Sequence, residues 1–266
     1  MRRYLPATVG VALVVMACGS LRAQSSAENP ALERFSRAIT FYLSFDGTLR
    51  ADLANGKPDP REVTGDAQFQ PGLYGKAMTM TDATKPGTYV IVGYPMLDNV
   101  DVTKPGSLVV WLSPYGWRRN EPIPYIWPVK IMGNVGVQFM FGRMNQPSEP
   151  IYLWGKLGNL KDVCLMHGSS LGWKDGEWHL WVMNWRSSSV EFSLDGGPLV
   201  RQDLPGKINA DGDRAGLLFL SQGGPSCRYL LDELLVLNRP LTEEEIKFIY
   251  EQGMKQSHSV TMQTKQ

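Results

Sequence analysis

Short apolar runs with a period of two residues recur along this chain, and they constrain its fold more than any other feature. In the run 39–45, apolar side chains at the odd positions alternate with Thr40, Tyr42 and Ser44, as expected for a half-buried strand. Clusters of Gly, Pro, Asn and Asp separate this run from similar ones at 88–92, 107–113, 135–141, 178–185, 190–194, 216–221 and 229–237. Many short strands with turn residues between them predict an all-β sandwich or barrel.

The run 178–185 is apolar on both of its faces. Leu180 and Val182 alternate with Trp181 and Met183, so both sides of this strand should be covered. A central strand with the core on one side and a partly covered face on the other satisfies this pattern.

One helix is marked near the C-terminus. Thr242 is a suitable N-cap and Glu245 completes a capping box, while Gly253 can end the helix. The remaining residues, 254–266, are predicted to form a polar, frayed tail.

The N-terminus has the residue order of a secretory signal. Arg2 and Arg3 precede the apolar run 5–17, and small residues follow it. Because a membrane-spanning helix needs roughly 20 apolar residues, we expect this run to be removed rather than kept as an anchor.

Two cleavage sites are open. Cleavage after Ala23 would make residues 1–23 a signal peptide. The segment 15–20 resembles a bacterial lipobox, in which case residues 1–17 are removed and Cys18 is lipidated. Either site predicts an exported bacterial protein that is periplasmic, anchored to the outer membrane as a lipoprotein, or extracellular.

The rest of the chain is divided into a spacer, 24–38, and a single domain, 39–253, because no linker composition interrupts the latter. The sequence has 27 basic and 26 acidic residues. A nearly neutral chain lacks the basic stripe with which proteins replace phosphate counterions. We therefore expect no nucleic-acid partner.

Several separated segments resemble laminin G-like domains of the concanavalin A-like superfamily of lectins and glucanases. They are 45–48 (FDGT), 69–77 (FQPGLYGKA), 176–185 (GEWHLWVMNW), 190–196 (VEFSLDG) and 231–246 (LDELLVLNRPLTEEEI). The resemblance implies a jelly-roll β-sandwich of two antiparallel sheets with one short C-terminal helix. Since this fold hosts lectins, enzymes and structural modules, it leaves the function open.

The residues favour a binding module over an enzyme. Laminarinase-like members of the superfamily carry a Glu-x-Asp-x-x-Glu strand, because a retaining mechanism needs two carboxylates facing one groove, and no such strand occurs here. We expect an exported module without catalytic function that binds a polysaccharide. The alternatives are a hydrolase or lyase with an unrecognised site, and a module that binds an envelope protein or is structural.

Aromatic residues in the segment 115–127 are the candidate ligand site. Tyr115, Trp117 and Arg118 combine flat rings with a polar group, which suits the faces of sugar rings. Aromatic residues that only pack a proline-rich loop would give the same pattern.

The resemblance also implies one structural calcium ion. Members of the superfamily often hold such an ion where the first and last strands meet, and Asp46 and Asp232 stand at the matching positions. Alternatively, Asp46 starts a turn and Asp232 caps a strand.

Two cysteines remain in the predicted mature domain, Cys164 and Cys227. Since export exposes them to oxidants, we expect a disulfide between them; two buried thiols are the alternative.

Two other motifs are given structural roles. The segment 168–172 has the spacing of a nucleophile elbow around Ser170 but is followed by another turn instead of a helix. His179 opens a predicted strand without paired ligand spacing, so we expect a packed side chain and no metal ligand.

Overall fold

The residues that the structure describes form sixteen strands and two helices. They are residues 29–79, 90–115, 126–133, 137–144, 146–157, 162–204, 206, 216–221 and 228–263 of a computed structural model. The strands are β1 (Ile39–Leu43), β2 (Leu53–Ala54), β3 (Glu62–Thr64), β4 (Gln68–Pro71), β5 (Lys76–Thr79), β6 (Ile91–Pro95), β7 (Gly106–Pro114), β8 (Val129–Met132), β9 (Val137–Arg143), β10 (Pro150–Leu157), β11 (Val163–Ser169), β12 (His179–Arg186), β13 (Ser189–Leu194), β14 (Val200–Asp203), β15 (Leu217–Ser221) and β16 (Tyr229–Leu237). The helices are α1 (Pro30–Phe35) and α2 (Glu243–Gln263).

The strands form two antiparallel sheets, which confirms the predicted β-sandwich. The first sheet has nine strands in the order β14-β13-β12-β7-β16-β1-β2, with β5 paired to β16 and β4 paired to β5. The second sheet has seven strands in the order β11-β10-β9-β8-β15-β6-β3. Alternate side chains from the two sheets meet between them, which is the packing that the period-two runs predict.

The apolar side chains form two cores. The inner core lies between the sheets and includes Trp181 and Met183 of β12. A second core lies on the outer face of the first sheet and includes Leu180 and Val182 of β12, packed with Ile246 of α2. The prediction that this strand is covered on both faces is confirmed.

Helix α2 begins as predicted and continues further. The backbone N–H of Glu245 donates to Thr242 Oγ1 at 3.3 Å, and the N–H of Thr242 donates to a Glu245 carboxylate oxygen at 3.0 Å, which completes the capping box. The helix does not end at Gly253 but runs to Gln263. A Cβ atom on residue 253 would lie 2.2 Å from Trp111 Cζ2, so this glycine permits close packing and is not a terminator.

The predicted spacer is partly folded. Asn29 caps α1 by accepting a hydrogen bond from the Ala31 N–H at 2.9 Å. Ala31 and Phe35 are buried in the outer core. The segment that was expected to link the domain to its signal thus packs against the outer face of the first sheet.

Candidate functional site

The predicted calcium residues hold one loop of the backbone. Asp232 on β16 accepts hydrogen bonds from the N–H groups of Leu73 and Tyr74 at 2.7 and 3.1 Å. Asp46 accepts one from the N–H of Lys76 at 2.6 Å. The two aspartates therefore meet at the same glycine-rich turn, as the resemblance implies, and both stabilise it.

The next residue, Glu233, lies in a β-bulge of β16 with a φ of 54°. Its carboxylate accepts hydrogen bonds from Tyr42 Oη at 3.0 and 3.1 Å and from the Asn29 amide. Burial raises the pKa of Glu233 from its ordinary range to about 8. Burial, followed by the charge of Glu233, also holds the pKa of Asp232 well above its usual range. An acidic pair is thus buried beneath α1 and the glycine-rich turn.

The donors for calcium are present only in part. The Oδ1 atom of Asp232 is buried without a hydrogen-bond partner, which is what a cation could satisfy. No group of three or more His, Cys, Asp or Glu side chains within the described ranges is placed to hold a metal ion. The calcium ion stays a prediction, with Asp46 and Asp232 as the residues that would hold it.

The predicted aromatic site falls mostly outside the described residues, since Trp117 and Arg118 lie there. Tyr115 follows β7, is 38% exposed, and donates its backbone N–H to the Arg228 carbonyl at 3.1 Å. Its ring is therefore at the surface at one end of the sandwich.

The cysteine predictions are tested only at Cys164. This residue is an exposed free thiol on β11, so the structure contains no disulfide at it. Cys227 and Cys18 lie outside the described residues. The predicted Cys164–Cys227 disulfide is therefore not shown, and the lipidation of Cys18 and the signal peptide stay predictions.

Ser170 has a structural role, as predicted. The buried guanidinium of Arg143 donates from Nε to Ser170 Oγ at 2.7 Å, and Ser170 Oγ donates to Glu149 at 2.9 Å. Arg143 and Glu149 also form an ion pair at 2.7 Å. The hydroxyl joins β9 to the loop before β10, and turns follow it.

His179 is also packed. Its Nδ1 lies 2.8 Å from Asp195 Oδ2. The ring of Trp173 stacks on the imidazole with centroids 3.6 Å apart. Asp195 also accepts a hydrogen bond from the Leu180 N–H at 2.8 Å, so the imidazole and carboxylate together fasten the β12–β13 hairpin.

The outer face of the second sheet is a different kind of surface. One row of paired residues crosses all seven strands: Cys164, Trp154, Met140, Lys130, Phe219, Gly93 and Glu62. Neither helix packs on this face, since both belong to the outer core of the first sheet. We name it the open face.

Aromatic rings are fixed in position on the open face. Trp127 donates its indole N–H to Tyr152 Oη at 2.5 Å. A Cβ atom on Gly142 would lie 2.3 Å from Tyr152 Cζ, so the phenol ring lies against the backbone of β9. Trp154 is the next outward residue of β10 and is half-buried. Tyr152 is itself buried, whereas the half-buried rings of Trp127 and Trp154 are suited to stacking on sugar rings.

Lys130 provides the central charge of the open face. Its ammonium group lies 4.8 Å from the centroid of the Trp127 ring, a cation–π contact. Burial lowers the pKa of Lys130. Lys156 on β10 and Met166 on β11 also lie on the open face, and both side chains are exposed. The face thus combines aromatic, aliphatic and cationic groups.

A polar cleft of about 360 Å³ opens on another side, between β1, β16 and the loop that precedes β7. Its polar groups are largely occupied. The buried Asn99 amide binds the Gly56 N–H and two backbone carbonyls. The Trp185 indole N–H donates to the Lys104 carbonyl at 2.7 Å. These contacts stabilise the loop.

Sequence reasoning missed the open face, although its strands contained a signal. In β10, Ile151 and Leu153 point inward while Tyr152 and Trp154 point outward. Because both faces are apolar, the alternation of apolar and polar residues is absent. An aromatic pair on one face of an otherwise aliphatic strand could have identified it.

No protein-family model matches the chain, and no curated protein matches it in sequence. Solved structures share its fold. The botulinum neurotoxin serotype D binding domain matches with a TM-score of 0.62 and 12% identity over 82% of this chain and 52% of that chain. The serotype D ligand binding domain in complex with N-acetylneuraminic acid matches with a TM-score of 0.62 and 14% identity over 83% of this chain and 52% of that one.

A botulinum neurotoxin DC binding domain in complex with rat synaptotagmin II matches with a TM-score of 0.61 and 11% identity, over 82% of this chain and 52% of that chain. The chain therefore spans about half the length of the binding domains it matches. At identities this low, the similarity shows a shared fold, an all-β sandwich, and nothing about function. No helix of the described residues is both long and apolar enough to cross a membrane.

Proposed function

We propose that this chain is an exported binding module without catalytic function, of laminin G-like type, that recognises a polysaccharide through the open face. The observation that carries the proposal is the pair of half-buried rings, Trp127 and Trp154, with Trp127 held by the buried Tyr152. Rings held by neighbouring contacts lose little conformational freedom when a ligand stacks on them. The solved neighbours include a domain bound to N-acetylneuraminic acid and one bound to synaptotagmin, which is in keeping with a binding role.

The open face suits a polymer better than a small molecule. Its residues lie on a surface that crosses seven strands, and adjacent strands are about 4.8 Å apart. A row of this length matches several sugar rings in succession. The row's carboxylate, Glu62, is at the far edge of the sheet from Trp154, so the row has no facing pair of carboxylates of the kind that glycoside hydrolysis uses.

Replacing Trp154 with alanine tests the proposal. Retention of the purified protein on a panel of immobilised polysaccharides would be measured for the wild type and the variant. We expect binding of the preferred polysaccharide to weaken at least about fivefold, since one aromatic contact contributes about 1 kcal/mol. The melting temperature should change little, because the ring lies outside both cores.

Tyr115→Ala is the matched variant, because it removes an exposed ring from the end of the sandwich where the sequence had placed the site. If Tyr115→Ala weakened binding and Trp154→Ala did not, the binding site would lie at that end of the sandwich and not on the open face. Release of reducing ends from a polysaccharide would contradict a module without catalytic function. A properly folded protein that is retained by no polysaccharide would contradict glycan recognition and leave a protein partner as the alternative.

A further inference from the structure

Lys130 occupies the centre of the open face. Its strand, β8, is the fourth of seven in the second sheet, and its neighbours in the row are Met140 and Phe219. Glu62 is three strands away, or roughly 14 Å at the usual strand spacing. The row therefore supplies no carboxylate within reach of this ammonium group.

The ammonium group is partly withdrawn from water, and the part of the chain that the structure describes gives it no anionic partner. Lys130 is half-buried, and no carboxylate of the described residues forms an ion pair with it. Its contact is the face of Trp127, at 4.8 Å. A cation–π contact offsets part of the cost of removing a charge from water, whereas an anion would offset more of it.

Among the described residues, the other half-buried or buried Lys and Arg side chains have carboxylate partners. The guanidinium of Arg143 is paired with Glu149 at 2.7 Å. Arg239 is paired with Glu245 through two hydrogen bonds of 2.8 Å each. Lys130 has no such partner among the described residues, and it lies beside Trp127, one of the rings on which the proposed ligand would stack.

We propose that the ligand of the open face is an acidic polysaccharide, with a sugar carboxylate that pairs with Lys130 while the sugar rings stack on Trp127 and Trp154. This inference rests on the proposed function and names the class of its ligand. A uronic acid residue has both groups that the surface matches, since its ring is flat enough to stack and its carboxylate projects from the ring edge. Such a contact is a charge-assisted hydrogen bond.

The test compares acidic polymers with neutral polymers of the same backbone. Binding of the full-length protein to polygalacturonate, alginate and hyaluronate would be measured beside binding to the same polymers after chemical reduction of their carboxylates. The wild type should bind at least one acidic polymer at least about tenfold more tightly than its reduced counterpart, as expected when a desolvated charge pair is lost. Added salt should weaken only the acidic complex substantially.

Lys130→Gln should remove this preference, lowering affinity for the acidic polymer about tenfold while leaving affinity for the reduced polymer unchanged. Lys130→Arg should retain the preference. Lys156→Gln is the matched control, because Lys156 is an exposed lysine on the same face, and it should change affinity less than about twofold. Unchanged melting temperatures of the variants would exclude a folding defect.

Two outcomes would overturn the inference. Equal binding of acidic and reduced polymers, or an undiminished acidic preference in Lys130→Gln, would overturn the acidic ligand and leave polysaccharide binding intact. Failure of the folded wild type to bind any polymer, acidic or neutral, would overturn the proposed function together with the inference.

Discussion

The outer faces of both sheets carry large apolar side chains, yet the helices of the described residues pack on only one of them. On the first sheet, α1 and α2 pack over outward side chains such as Leu180 and Val182 of β12. On the second sheet, the corresponding residues of β10 are Tyr152 and Trp154, and no helix of the described residues packs on them.

The difference lies in the side chains as well as in the cover. Leu180 and Val182 have no polar atoms, so they gain by complete removal from water. Tyr152 is buried, but its hydroxyl accepts a hydrogen bond from Trp127, and the half-buried Trp154 presents an apolar ring with a polar edge, which suits a surface that remains partly wet. The aliphatic outer face is covered by the chain's own helices, whereas the half-buried tryptophans of the other face are where we propose that a ligand binds.

Two glycines offer the sharpest test of this comparison. A Cβ atom on Gly253 of α2 would lie 2.2 Å from Trp111, and one on Gly142 of β9 would lie 2.3 Å from Tyr152. Trp111 is buried between the first sheet and α2 and has no room to move. We expect Gly253→Ala to lower the free energy of unfolding by about 2 to 3 kcal/mol, measured by denaturant titration.

Gly142→Ala should cost about 1 kcal/mol or less, because the atoms that must shift are the far end of the Tyr152 side chain, which belongs to neither core. Its expected signature is loss of the Trp127–Tyr152 hydrogen bond, seen as a change in tryptophan fluorescence without a large change in stability. Equal destabilisation by the two substitutions would mean that the second sheet is as firmly covered as the first.

The buried Glu233 should make the covered face sensitive to pH. Because burial raises the pKa of Glu233 to about 8, well above its ordinary value of 4.5, folding favours the protonated form. The resulting stability is fully present below about pH 4.5 and is lost as the pH rises through about 8. The free energy of unfolding should therefore fall from pH 5 to pH 9, with Asp232 contributing in the same direction.

Glu233→Gln should reduce the fall in the free energy of unfolding between pH 5 and pH 9. At pH 9 the variant should be more stable than the wild type by about 1 to 2 kcal/mol. Glu62→Gln, which removes an exposed carboxylate from the second sheet, controls for the loss of one charge. A variant whose stability declines with pH as steeply as that of the wild type would show that the carboxylate is not the source.

The same contrast explains which parts of the structure could be predicted. Strand β16 coincides with the predicted run 229–237, and the capping box of α2 forms as expected, because both depend on local pattern. The predicted end of α2 at Gly253 was wrong. This glycine packs against Trp111 of β7, which is distant in sequence. No local pattern reports such a contact.

Asp46 and Asp232 both bind the glycine-rich turn, because β1 and β16 are neighbouring strands, while their role as calcium ligands stays a prediction. The open face was missed because β10 and β11 lack polar residues in alternation, and its central residue, Lys130, becomes unusual only through the distance to carboxylates on other strands. Pairing across a sheet is set by topology, which one sequence does not reveal.

Hydrogen–deuterium exchange tests the central claim, that the open face binds the ligand, most directly. Exchange of the wild-type backbone amides would be measured with and without the polysaccharide that the protein retains best. Ligand that stacks on Trp127 and Trp154 should slow exchange in β8, β9 and β10 and leave α2 unchanged. Slower exchange confined to α2, to the loop before β7, or to the backbone around Tyr115 would contradict the account.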